Sequence, residues 1–282
     1  MTAGKWQERW RLMAGTVIGL VLASAALHLT WNLVVRRYPG SVKFVWCLTL
    51  CGGLAAGLAT VAFHIPVHFF SVWPWLIGTI IAHGVYFVGL ARSYGGGDLG
   101  EVYPATRGGG IIGTTVSAWI LWGQHLHWIT LGGIGIIAVL VTRPAWHARW
   151  RRQTLGWTLL VALSITAYST IDNHGVRLLS PLAYIACQFL GTALILTPLA
   201  LRDRTPLRLG PSATSGLMSV ASYLLILVAY QQGAAAAILA LRQVGMVVAP
   251  LVGWWVLKEP MHHNALWVSL GIAVGSGLVM FK

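Results

Sequence analysis

Acidic residues are nearly missing from this chain: six Asp and Glu stand among 282 residues. Charge of either sign is scarce, at 9% of the sequence, where a water-soluble domain carries about 25%. That shortage excludes a surface that mostly faces water, and with it an extramembrane catalytic domain built from these residues. Cysteine is scarce too. Cys47, Cys51 and Cys187 form an odd set without metal spacing. Two thiolates on one helix face do not close a zinc site, so neither a metal site nor a cofactor is expected. The short alternating segments of a β-barrel are also lacking.

Long apolar runs fill the space that charge leaves. The chain is 57% hydrophobic, and a spanning helix takes about 20 mainly apolar residues. The runs place spans at 12–35, 43–65, 72–93, 102–122, 126–142, 154–174, 179–200, 212–232, 234–257 and 262–281. The expected fold is an all-α polytopic membrane protein of about ten transmembrane helices, in the cell inner (plasma) membrane. Lys5, Arg9 and Arg11 ahead of Ala23-Ser24-Ala25 imitate a signal peptide and its cleavage site. The apolar stretch runs on to Val35, long enough to span, so an uncleaved first helix is expected. A net charge of +13 would point to nucleic acid in a soluble protein. In a membrane protein the same excess belongs to loop cations beside anionic lipid. The expected partners are the lipid bilayer, a small-molecule substrate, and a proton or counter-substrate, with no nucleic acid.

The chain repeats itself. Arg107 lies 17 residues before Gln124, and Arg242 lies 17 residues before Glu259. Trp128-x-x-Leu131-Gly132 returns as Trp267-x-x-Leu270-Gly271, Asn32 and Arg36 return as Asn173 and Arg177, and Tyr94 corresponds to Tyr230. The order is the same in each half. This divides the chain into a first five-helix repeat at 1–142, a basic connecting loop at 143–153, and a second repeat at 154–282. Five is odd, so the second repeat enters the membrane inverted, as in many secondary transporters whose site lies where the repeats meet. Gly53 with Gly57, and Gly271 with Gly275, supply small residues for close helix packing.

The run from Ala26 to Asn32, the segment Gly97 to Gly108, Leu241-Arg242-Gln243, and Leu257-Lys258-Glu259-Pro260 resemble the EamA-type transporters of the drug/metabolite transporter superfamily. The resemblance covers both repeats. It implies ten helices, a central cavity, and export of small organic metabolites driven by an ion gradient or exchange. It also implies cytoplasmic termini, whereas loop cations count five on the N-terminal side against twelve on the other, which places the termini outside under the positive-inside rule.

Charge within a bilayer costs roughly 2.5–3.5 kcal/mol per residue on insertion scales and so faces a cavity or a partner. Arg242, with Gln243 beside it, and its repeat mate Arg107 are the expected substrate contacts. The alternatives are a structural arginine bonded to carbonyls and a snorkelling one. Asp172 is the one carboxylate well inside an expected span. Near an arginine it would alternate between protonated and ion-paired forms, which is the chemistry of proton coupling; a static ion pair, or a helix-end position near water, is the alternative. His28, Trp31 and Asn32 share one face of the first helix and read as a cavity wall, or as packing and interhelical bonding. Tyr103 joins them as a substrate contact, with His83, Tyr86, Tyr168, Gln188 and Tyr223 as secondary candidates. Tryptophans near span ends, such as Trp128 and Trp267, read as interfacial anchors.

The function expected is secondary transport of a small polar metabolite, an amino acid or related carboxylate or phosphonate compound, by alternating access. A flippase for lipid-linked or nucleotide-linked sugars is the rival within the class. An intramembrane enzyme would need clustered catalytic groups that scattered histidines and one deep carboxylate do not supply. A membrane sensor without transport remains the other alternative.

Overall fold

The computed structural model describes residues 3–122, 127–146, 151–232, 242, 244–260 and 264–279. Within them every regular element is an α-helix. These are α1 (Ala3–Arg36), α2 (Val42–Ala62), α3 (Phe69–Tyr94), α4 (Leu99–Trp122), α5 (Trp128–Trp146), α6 (Arg152–Gly175), α7 (Pro181–Arg202), α8 (Leu209–Gln232), α9 (Val244–Leu257) and α10 (Ala265–Val279). Helices are what a lipid-embedded backbone requires, because each N–H and C=O must find its partner inside the segment. Gly15–Arg36, α2, α3, α6, α7 and Leu209–Gln231 are long and apolar enough to cross a membrane. Trp128–Leu140, Gly245–Leu257 and Ala265–Val279 are shorter apolar helices.

The helices follow the expected spans closely, with three differences. α1 begins at Ala3, well ahead of the apolar stretch, and α5 continues through Pro144 to Trp146. The expected span 234–257 is described only at 242 and from 244 on. Starts are set by local chemistry. Ser41 caps α2 by accepting the Phe44 N–H at 3.1 Å, and Ser180 caps α7 by accepting the Ala183 N–H at 3.3 Å. Pro181 sits in the first turn of α7, where its missing N–H costs nothing. Asp203, at the end of α7, accepts the Lys43 N–H at 2.8 Å and the Thr205 N–H at 2.9 Å. Burial pushes its carboxyl up, but these N–H donors and Lys43 outweigh that and hold it below the usual carboxylate range.

Packing runs largely between the two halves of the chain. α2 packs on α7 and α8, α3 on α6 and α7, α1 on α8 and α9, α4 on α6 and α9, and α5 on α10. Exchanging α1–α5 for α6–α10 turns this set of contacts into itself. The crossings are close. A Cβ on Gly52 would lie 2.8 Å from the Gly216 carbonyl oxygen, and one on Gly216 would lie 2.3 Å from the Leu48 carbonyl oxygen. At the α5–α10 crossing a Cβ on Gly133 would lie 2.6 Å from the Gly275 carbonyl oxygen. Of the four expected packing glycines, Gly53, Gly271 and Gly275 stand at tight contacts, while Gly57 has ordinary van der Waals room. Ser24 and Ser222 exchange side chain to carbonyl bonds at 2.7 and 2.9 Å and clasp α1 to α8. Outward positions are apolar, with Leu58, Phe70, Leu194, Leu201 and Trp255 all exposed, as lipid-facing side chains must be. Trp73, Trp128, Trp254 and Trp267 are exposed as well, at the helix ends where anchoring was expected.

Candidate substrate site at the bundle centre

The site begins at His28, about two turns from the end of the apolar part of α1 and 5% exposed. Trp31 lies on the same stripe. Its indole N–H donates to His28 Nδ1 at 3.2 Å, and the two rings meet edge to face at 4.9 Å between centroids. From α4, Arg107 brings a guanidinium nitrogen to His28 Nε2. From the segment just before α9, Arg242 brings Nη2 to His28 Nδ1 at 3.2 Å. Two arginines spaced as repeat mates in the sequence therefore meet on one imidazole. Both are buried, at 8% and 7% exposure. Arg107 also lies over the Tyr103 ring, 5.6 Å from its centroid, and bonds the Tyr86 hydroxyl.

Donors outnumber acceptors here. A neutral imidazole offers one donor and one acceptor nitrogen. If Nδ1 accepts from Trp31, Nε2 carries a hydrogen and faces the Arg107 donor. Among the described residues the Arg242 Nε has no hydrogen-bond partner. The two ion pairs found among the described residues both belong to Arg36. Two like charges an imidazole's width apart in a low-dielectric interior repel by a few kcal/mol, which an anionic group between them would reverse.

Asp172 of α6 is fully buried, but its partners differ from the arginine expected for it. The Tyr184 hydroxyl of α7 donates to Oδ1 at 2.7 Å, the Tyr223 hydroxyl of α8 donates to Oδ2, and Thr79 of α3 also bonds the carboxylate. The physical reason is rotation: the face of α6 bearing Asp172 looks toward α3, α7 and α8, while the arginines approach from α4 and α9. An aromatic bridge joins the two groups. Tyr86 meets Tyr168 edge on at 5.6 Å, Tyr168 meets Tyr223 at 6.0 Å, and His83 stacks on Tyr168 at 4.2 Å.

The structure thus brings together His28, Trp31, Tyr103, Arg107 and Arg242, with Tyr86, His83, Tyr168 and Tyr223 alongside. Asn32 turns away. Its amide donates to the His28 carbonyl at 2.8 Å and its carbonyl accepts the Tyr94 hydroxyl at 2.9 Å, so both its groups are occupied by protein. Gln188 is buried and donates to Thr192 at 3.2 Å, and its carbonyl oxygen has no partner among the described residues. Gln243 and Gln124 lie outside the described residues. Sequence reasoning did not find Tyr184 or Thr79 as partners of Asp172. Tyr184 stands one helical turn past the Ser180-Pro181 start of α7, and only that register hinted at its depth.

A second cluster lies at the helix ends on one face of the bundle. Arg36 closes α1 and pairs with Asp98 through Nη2 at 2.9 Å and with Glu259 through Nε at 2.7 Å. The Leu99 N–H, at the start of α4, donates to Glu259 at 3.0 Å. Gly253 leaves room for that carboxylate, since a Cβ there would lie 2.7 Å from Glu259 Oε2. Burial raises the Glu259 carboxyl, against the opposing pull of Arg36. These contacts tie α1 and α4 to the end of α9 and line a small cleft with Gly100, Glu101, Pro250 and Trp254.

Comparison with known proteins agrees with this architecture. Residues 153–281 match the EamA-like transporter family, and residues 44–142 match the Small Multidrug Resistance protein family. No curated protein matches the sequence. A solved structure described as "Crystal structure of protein" is similar in fold, with a TM-score of 0.66 at 15% sequence identity over 94% of this chain and 96% of that one. The matched families cover the helices that carry Arg107, Asp172 and Arg242, and the two matches together support an EamA-type, multi-pass membrane transporter of the drug/metabolite transporter superfamily.

Proposed function

We propose that the chain is a secondary transporter that moves a small polar organic metabolite bearing a carboxylate or phosphonate group, by alternating access between two inverted five-helix repeats. The observation that carries this is the convergence of Arg107 and Arg242 on His28 with donors in excess of acceptors. An anion supplies the missing acceptors and the missing charge in one group. Trp31, Tyr103 and Gln243 complete the substrate contacts. Asn32, held by Tyr94, positions the His28 turn.

Several observations support the wider reading. The helix contacts exchange into themselves when the halves are swapped, which is what pseudo-two-fold repeats produce. Arg107 and Arg242 come from matching places in those repeats and meet at the centre. The ten helices fit ten spans, with 143–153 connecting a repeat at 1–142 to one at 154–282. Asp172 serves proton or counter-substrate coupling, reached through Tyr223 and Tyr168 rather than by direct contact with an arginine. Export across the inner membrane is the direction this reading takes.

Purified protein in liposomes tests it. Counterflow of a labelled organic acid or amino acid should exceed that of empty liposomes. Arg242→Ala should abolish the binding that drives it while the protein still reaches the membrane. Normal substrate affinity in that variant would remove Arg242 from the site, and inactivity across a panel of organic acids and amino acids would overturn the substrate class.

A further inference from the structure

We infer that the Arg107–His28–Arg242 seat takes a compact dianionic headgroup, a phosphate monoester or a phosphonate, in preference to a single carboxylate. The inference rests on the transport reading above and deepens it at the same site. Three features lead to it.

The first is charge. Arg107 and Arg242 are both buried and meet the same ring. Asp172 does not neutralise them, because Tyr184, Tyr223 and Thr79 already donate to its oxygens. The two ion pairs found among the described residues hold Arg36 at the end of α1 and reach neither arginine. A carboxylate brings one negative charge to this pair, while a phosphoryl group at neutral pH brings about −1.5 to −2.

The second is the count of donors. The Trp31 indole N–H and Arg242 Nη2 both reach His28 Nδ1, Arg107 Nη2 reaches Nε2, and Arg242 Nε has no hydrogen-bond partner among the described residues. A carboxylate offers two oxygens along one edge. A phosphoryl group offers three, arranged so that separate donors reach separate oxygens. The third is spacing. The guanidinium groups approach the two nitrogens of a single imidazole, so they are separated by one ring. The His28 ring fills that gap, so a headgroup held by both arginines docks at the ring's edge, where one compact tetrahedral group can reach both. A dicarboxylate would have to fold its two ends together to match it.

The full chain in lipid nanodiscs, titrated with methyl phosphate and with acetate at pH 7.5, tests the inference by calorimetry. Methyl phosphate should bind at least about tenfold more tightly than acetate, the ratio expected when a second charged hydrogen bond of about 1.5–3 kcal/mol is added. The preference should shrink at pH 5, because the second proton of a phosphate monoester leaves near pH 6, about the value given for phosphorylated side chains. Arg107→Gln and Arg242→Gln should each erase most of the preference, and His28→Gln should reduce it while keeping both charges. The wild-type ratio carries the test even where a variant does not fold. Equal affinity for the two ligands overturns the dianion and leaves the transporter reading intact. Counterflow in the same preparation is the separate arm: failure to exchange any organic anion overturns transport, whatever the binding ratio. Phosphatidic acid added to the nanodiscs identifies the source, since competition with methyl phosphate assigns the headgroup to a lipid and its absence assigns a soluble metabolite.

Discussion

Asp172 shows how a buried carboxylate is made tolerable without a cation. Two tyrosine hydroxyls and a threonine supply hydrogen bonds, and the charge stays within reach of the aromatic bridge that leads to Arg107. Removing the charge while keeping the shape separates coupling from transport. Asp172→Asn should abolish pH-driven accumulation in proteoliposomes and leave substrate exchange running; if both persist, Asp172 is not the coupling group. Tyr184→Phe removes one donor from a carboxylate that stays buried. A lost hydrogen bond to a charged group costs about 1.5–3 kcal/mol, so thermal unfolding in detergent should fall by an amount readable against the wild type.

The ends of α1, α4 and α9 are joined by a short charged latch, Arg36 with Asp98 and Glu259. It sits two turns along α1 from His28, on the stripe that also carries Asn32. Under the alternating access proposed above, opening that face of the bundle would part the latch. In a background without the three native cysteines, Leu99→Cys, whose position is fully buried, should react slowly with a membrane-impermeant maleimide. Adding Glu259→Gln should speed the labelling several-fold. The pH dependence has a defined sign. Burial raises the Glu259 carboxyl above its ordinary value, so folding favours its protonated form, and acidification neutralises it at a higher pH than a free glutamate. Relative to a free thiol labelled at the same pH, which corrects for the falling thiolate fraction, labelling should therefore rise as pH falls from 7.5 toward 5, and Glu259→Gln should flatten that ratio. The crossing glycines act at the same scale. Gly216→Leu would place side-chain atoms against the Leu48 carbonyl, and overpacking of this kind costs typically about 1–3 kcal/mol; a lowered unfolding temperature with reduced α2–α8 crosslinking is the expected result.

Across the whole molecule, what was legible in the sequence was depth, and what was not was rotation. Continuous apolar runs located the helices because each lipid-exposed turn must be apolar. The 17-residue spacing of Arg107 and Arg242 to their helix-end partners exposed a pair that meets at His28. Hydropathy does not report which way a helix turns, so Asp172 was read beside an arginine and lies beside tyrosines, while of the two readings open for Asn32, cavity wall or interhelical bonding, its bond to Tyr94 fits the second. Gly52 and Gly216 were likewise missed, since a close crossing depends on a partner far away in the chain. The swapped packing of the halves carries its own expectation. Separate expression of 1–146 and 152–282 in one cell should restore a complex that copurifies and transports, while 1–146 alone should be degraded.

That packing also bears on how the protein is made. α1, α2 and α3 each find their main partners in α8, α7 and α6, which leave the ribosome later. At about 5–20 residues per second, the first five helices wait in the membrane for roughly ten seconds with their mating faces, serines and close-approach glycines turned toward lipid. The buried arginine of α4 waits with them, and its counterpart arrives only after α8. A membrane insertase that shelters half-built bundles would matter more to this chain than to one whose early helices pair with each other, and slowing translation between α5 and α6 should lower its yield.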